Sequence, residues 1–182
     1  MSAIAASAGI SPALLQYYFP SRDSLLMAVI SQWDADNDKR GAGMSHFERW
    51  LDVTRHNAAI PGLVHLYMTC VAEATDPGHP GRPFYLARYA RITDQITAEI
   101  RRLQDVGVTP RDLDPERVAR ALIAGIEGLQ IRWLHQPDFD MFDEFVFLLR
   151  QFSVIPEGAA DTTAARADVP ATGEPLSAAV DA

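Results

Sequence analysis

The side chains able to do acid–base, nucleophilic or metal chemistry are few and scattered in this 182-residue chain. The histidines are His46, His56, His65, His79 and His135. No two of them lie three or four residues apart, so no helix offers the paired imidazole face that a zinc site uses. Cys70, the single cysteine, follows His65 by five residues, on a different face of the same helix, and reads as a small apolar residue rather than a nucleophile. It has no partner for an internal disulfide, which fits a cytoplasmic setting. Asp34, Asp36 and Asp38 alternate like the opening of a calcium loop, but no glycine follows at the needed place and no glutamate closes it. They read as a solvated helix end. The chain has no Gly-x-Ser-x-Gly elbow, glycine-rich phosphate loop or paired carboxylates. Binding, not catalysis, is the expected chemistry, with no metal and no cofactor.

The elements that must position these groups are helices throughout. No stretch alternates apolar and polar residues for long enough to suggest a half-buried strand. Gly9-Ile10-Ser11-Pro12 is a tight turn, and Pro20-Ser21 closes one helix while Ser21 can cap the next, over 21–38. Further helices are expected at 44–59, 61–74 and 83–106, the last with Pro83 in its first turn after a loop rich in proline and glycine. Asp114-Pro115-Glu116 opens a helix to about His135, and Gln136-Pro137-Asp138 opens the last one, at 138–154. The expected division is a head at 1–38, a body at 39–156 and a disordered tail at 157–182. Hydrophobic residues at 48% and charged residues at 22% suit a globular chain, and no apolar run approaches the roughly 18 residues needed to span a bilayer. The net charge of −8 is the wrong sign for phosphate, but phosphate binding requires local rather than overall positive charge. Lys39 is the one lysine, and arginine does its work elsewhere, the composition expected of a GC-rich bacterium.

Ser2 to Leu26 is the informative stretch. Ile4, Ala5 and Ala8 share one face of a short helix, and Gly9 supplies a left-handed helix end at no steric cost. Ser11 can cap a second helix with Pro12 at its first position, and Leu15, Tyr18 and Phe19 return an apolar face to the first. A small residue where helices cross, a glycine four residues later and apolar anchors on both sides give the spacing of a helix-turn-helix. The second helix would lie in a major groove with its N–H groups toward phosphate.

Ile4-Ala5-Ala6-Ser7-Ala8-Gly9-Ile10-Ser11, followed by Leu15-Gln16-Tyr17-Tyr18-Phe19-Pro20-Ser21-Arg22-Asp23-Ser24-Leu25-Leu26, resembles the signature of the TetR family of transcriptional regulators. Gln16 stands where that family most often has a phosphate-binding tyrosine, and Arg22 where it usually has lysine; both still donate hydrogen bonds. The resemblance implies DNA contacts from Ser11, Pro12, Ala13, Gln16, Tyr17 and Arg22. The family carries a further helix before this motif, so the expectation is that the chain as written binds DNA weakly or not at all. Nanomolar operator binding in a mobility-shift titration rejects that expectation.

More loosely, Ala72-Glu73-Ala74-Thr75-Asp76-Pro77, Arg88-Tyr89, Leu113-Asp114-Pro115 and Gly128-Leu129-Gln130-Ile131-Arg132-Trp133-Leu134 resemble the C-terminal domain of the betaine-regulator subgroup. In the last two helices, Ala121, Ala124, Gly125 and Gly128 keep one face small, and 138–154 is apolar nearly all round. An isologous dimer is expected, with Val118, Leu122, Gly125, Leu129, Phe142, Phe145, Leu149 and Phe152 at its interface in a four-helix bundle. The competing reading is that these side chains fill the chain's own core. Candidates for a small-molecule pocket are Leu66, Tyr67, Cys70, Phe84, Tyr85, Tyr89, Ile92 and Trp133, with Glu127 and Gln130 as polar groups, though each taken singly reads better as core packing. Aromatics beside Glu73 or Glu127 would suit a cation.

The function so implied is an all-α, ligand-responsive repressor. A homodimer would set two heads on a pseudo-palindromic operator, and an unidentified small molecule would shift it between conformations. The alternative is a helical, dimeric small-molecule-binding protein or enzyme scaffold without DNA function. A basic amphipathic helix encoded upstream of Met1 would separate the two.

Overall fold

In a computed structural model of the chain, residues 1–155 are described and form eight helices with no strand among them. The tail expected at 157–182 lies outside the described residues.

The head is two short helices, α1 (Ser2–Ser7) and α2 (Pro12–Tyr18). Gly9 joins them at φ 68°, and Ser11 Oγ accepts the Leu14 N–H at 3.1 Å to cap α2. Ala5 is fully buried at their crossing and Leu15 is buried beside it. A long connecting helix, α3 (Arg22–Arg40), opens on a reciprocal cap between Ser21 and Ser24, and it outruns the expected end at 38 by two residues.

The body holds α4 (His46–Ala58), α5 (Pro61–Glu73), α6 (Arg82–Asp105), α7 (Pro115–His135) and α8 (Met141–Gln151). Ser45 and Glu48 form the capping box of α4, and Asp114 caps α7 through the N–H groups of Glu116 and Arg117. The last helix starts later than expected. Asp140, not Asp138, accepts the N–H groups of Phe142 and Asp143, and Phe139 stays outside the helix.

The main core joins α4, α6, α7 and α8 through Phe47, Leu51, Ile96, Ile100, Leu122 and Phe145. This corrects the expected interface. Val118, Leu122, Phe142, Phe145 and Leu149 are buried in the chain's own interior, with Leu129 and Phe152 packed against them. Gly125 has a partner within the chain, because a Cβ there would collide with Leu148 of α8. Nor is α8 buried on all sides: Phe147 is 60% exposed among Asp143, Glu144 and Arg150, which are also exposed. A second, smaller cluster of Leu26, Cys70, Ala74 and Tyr85 ties α3 to α5 and α6.

Candidate functional site

The head presents its second helix to solvent. Ser11, Pro12, Ala13, Gln16 and Tyr17 are all exposed along α2, Tyr17 by 80%. The Ser11 hydroxyl accepts the cap bond from Leu14, and its O–H remains free to donate. Arg22, the sole basic side chain in residues 1–30, lies 3.5 Å from Glu73 at the end of α5. Asp23 beside it faces His79 at 3.9 Å in the loop before α6. Thus the start of α3 is held to the body by the Arg22–Glu73 pair, the Asp23–His79 contact and the Leu26 cluster.

Deeper in the body, a cavity of about 110 Å³ opens between α3, α4, α5, α6 and α7. Its aromatic walls are Trp33, Trp50, Tyr67 and Tyr89. The Trp33 ring stacks on His56 at 4.9 Å, and Trp50 meets Phe145 edge-on at the same distance. One polar network runs along the wall. Arg88 holds Asp34 through Nε and Nη2, both at 2.9 Å, and donates its Nη1 to the Tyr67 hydroxyl at 2.9 Å. Tyr67 donates onward to Glu127 Oε1 at 3.1 Å, and Tyr89 donates to the same oxygen. Arg91 approaches Asp34 from the outside at 2.8 Å. Two buried carbonyl oxygens, Asn57 Oδ1 and Gln130 Oε1, have no partner among the described residues, and both residues line the cavity.

The electrostatics follow from this packing. Burial pushes the Tyr67 phenol up to about 12, with Arg88 opposing and Glu127 adding. Burial raises Tyr89 further, helped by Tyr67 and by its bond to Glu127. Both phenols therefore stay protonated and remain donors. Burial alone would weaken the charged form of Arg88, but the bidentate Asp34 carboxylate more than reverses this and raises its pKa.

The cavity brings together Tyr67, Tyr89, Ile92, Glu127 and Gln130 of the expected pocket. The other candidates lie elsewhere. Cys70 and Tyr85 are buried in the second cluster at the head–body junction, with Leu66 and Phe84 against them. Trp133 is half-buried and does not line the cavity. Glu73 faces Arg22 outside it. The expectation of a solvated acidic end holds for Asp36, paired with Lys39, and for Asp38, paired with Arg49. It fails for Asp34, whose i,i+2 neighbours disguise its inward-facing position.

Residues 61–152 match the family described as BetI-type transcriptional repressor, C-terminal, and residues 1–29 match bacterial regulatory proteins, tetR family. The chain belongs to the TetR family of transcriptional regulators. A putative TetR-family regulator from Rhodococcus sp. is 27% identical, with a TM-score of 0.63 over 85% of this chain and 86% of that one. Thermus thermophilus FadR, a TetR-family repressor solved with lauroyl-CoA, shares the fold at 22% identity and a TM-score of 0.56, over 95% of this chain and 88% of its own. No curated protein matches.

As a TetR-family member the chain is a ligand-responsive, DNA-binding transcriptional regulator, which disfavours the scaffold without DNA function. No helix among the described residues is long and apolar enough to cross a membrane. Sequence reasoning missed the cavity wall contributed by α3 and α4: Trp33, Asp34, Trp50 and Asn57. The signal was available for Trp33 and Trp50, large aromatics in amphipathic helices. Nothing local announced Asp34, which meets Arg88 across 54 residues of chain.

Proposed function

We propose that this TetR-family chain is a cytoplasmic homodimeric repressor of a pseudo-palindromic operator, and that a compact effector in the α3–α7 cavity alters how α3 holds the reading head. The observation that carries this reading is the half-buried Asp34–Arg88 pair. Asp34 belongs to the helix that leads to the head, while Arg88 is one hydrogen bond from Tyr67 and two from Glu127. An effector that binds Glu127 or Tyr67 competes with this network, so its affinity differs between α3 positions. A cavity of about 110 Å³ suits a compact molecule and is far too small for lauroyl-CoA.

Dimerisation finds support at Gly128. A Cβ there would meet nothing in this chain, yet glycine inside a helix costs roughly 0.5–1 kcal/mol relative to alanine. Ala121, Ala124 and Ile131 continue the same exposed stripe, and α8 adds Phe147. A second copy laid closely across α7 and α8 gives that glycine a purpose. The proposed interface is this outer face rather than the buried residues named from sequence.

The test uses an operator duplex selected in vitro and fluorescence anisotropy. Arg88→Met is expected to change the operator Kd by about fivefold or more, the low end of allosteric coupling. Arg111→Ala, which removes only an exposed pair with Asp105, should leave it unchanged. A folded Arg88→Met protein with native operator affinity would remove the coupling.

A further inference from the structure

The cavity wall is unequal in its hydrogen-bonding capacity. Its charged and phenolic donors are engaged: Arg88 gives Nε and Nη2 to Asp34 and Nη1 to Tyr67, and the hydroxyls of Tyr67 and Tyr89 both point at Glu127 Oε1. Three of its acceptors are not. Gln130, only 7% exposed, and Asn57 both line the cavity, and each has a buried carbonyl oxygen with no partner among the described residues. The second oxygen of Glu127 takes no hydrogen bond among the described residues, and no Arg, Lys or His lies within ion-pair distance of that carboxylate. Asp34, by contrast, is bracketed by two guanidinium groups.

Resting on the reading of this cavity as the effector site, we infer that its ligand is a compact primary or secondary ammonium. Its N–H groups would reach Glu127 and the carbonyls of Gln130 and Asn57, with its alkyl part against Trp33, Trp50 and Tyr89. The three acceptors ask for more than positive charge. A quaternary ammonium would satisfy the aromatic faces but has no N–H to give the buried oxygens, each of which is costly to leave unpaired. A carboxylate ligand would meet Glu127 with like charge. An amide side chain can turn over and offer its NH2 instead, whereas a carboxylate is acceptor-only, so Glu127 decides the class.

The experiment is a titration of the native chain, followed by tryptophan fluorescence and thermal unfolding, with four probes of similar size at constant ionic strength. These are n-butylammonium, tetramethylammonium, n-butyrate and n-butanol. The expected result is a saturable change with n-butylammonium alone, weakened at least about tenfold in Glu127→Gln, the loss of one charge-assisted hydrogen bond. The butylammonium–tetramethylammonium pair puts the same question to the native protein should the variant fail to fold. Equal or tighter binding of tetramethylammonium, butyrate or butanol overturns the ammonium class while leaving the cavity as a ligand site. Butylammonium binding that survives Glu127→Gln overturns it too. If none of the four perturbs the tryptophans, both the class and the cavity reading fall.

Discussion

The head and the body of this regulator are built on opposite terms. In α1 and α2 only Ala5 and Leu15 are buried, while Ile4, Leu14, Tyr17 and Tyr18 stand in solvent. In α7 and α8 eleven side chains are buried, counting six in the first helix and five in the second. The head relies on local devices, a left-handed glycine and a serine cap, that need no partner. The body relies on packing at a distance. A surface that must meet DNA keeps its side chains outward, whereas one that must sense a small molecule encloses them around a polar network.

The largest expected effect separates the two by stability. We predict that Phe145→Ala, at a fully buried site, costs about 3–5 kcal/mol in urea denaturation, while Ile4→Ala in the head costs under about 1 kcal/mol. Equal costs would mean that the head is packed as firmly as the body. Next comes the outer face of the body, which should behave like neither. Phe147→Arg is expected to weaken dimerisation by about tenfold or more in sedimentation velocity, with little loss of helical signal. An unchanged dimer would move the interface elsewhere.

A smaller effect concerns pH and belongs to the body alone. Burial, then the Arg49 guanidinium, holds the His46 imidazole below its ordinary value of 6.5. Because the folded pKa is depressed, the unfolded chain takes up the proton first on acidification. Stability should therefore fall as pH drops below about 6.5 and level off only below the folded value. His46→Gln should flatten that slope in thermal unfolding; an unaltered slope would assign it to other groups. The smallest effect lies where head and body meet. Glu73→Gln removes the body's claim on Arg22 and should tighten operator binding by up to about fivefold, as befits an exposed pair. Weaker binding would show that this contact positions the head rather than sequestering it.

The sequence was most legible where structure is made by neighbours. Ser11, Ser21 and Asp114 announced their helices, because a cap is decided within four residues. Asp138 and Asp140 offered the same local chemistry two residues apart, and only packing of Met141 and Phe142 selected the second. The outer face of α8 was marked by Asp143, Glu144 and Arg150, yet the run of phenylalanines masked its period. Half of the named pocket residues reach the cavity. Cys70 and Tyr85 do not, because α5 and α6 each carry apolar side chains toward two clusters and the choice between them depends on where α3 crosses. The Asp34–Arg88 pair was invisible for the same reason.

The position of Asp34 along α3 has a mechanical consequence. The helix rises about 1.5 Å per residue, so twelve residues set Arg22 about 18 Å from the point where Arg88 grips. Treated as a rigid rod pivoting there, a tilt of about 10° swings the Arg22 end through about 3 Å. In a two-fold assembly the two rods swing in opposite senses, and the gap between the heads changes by about 6 Å against a groove repeat of about 34 Å. A displacement of one hydrogen-bonded side chain that also loosened the Leu26 cluster at the start of α3 would thereby be geared up into a mismatch with the double helix.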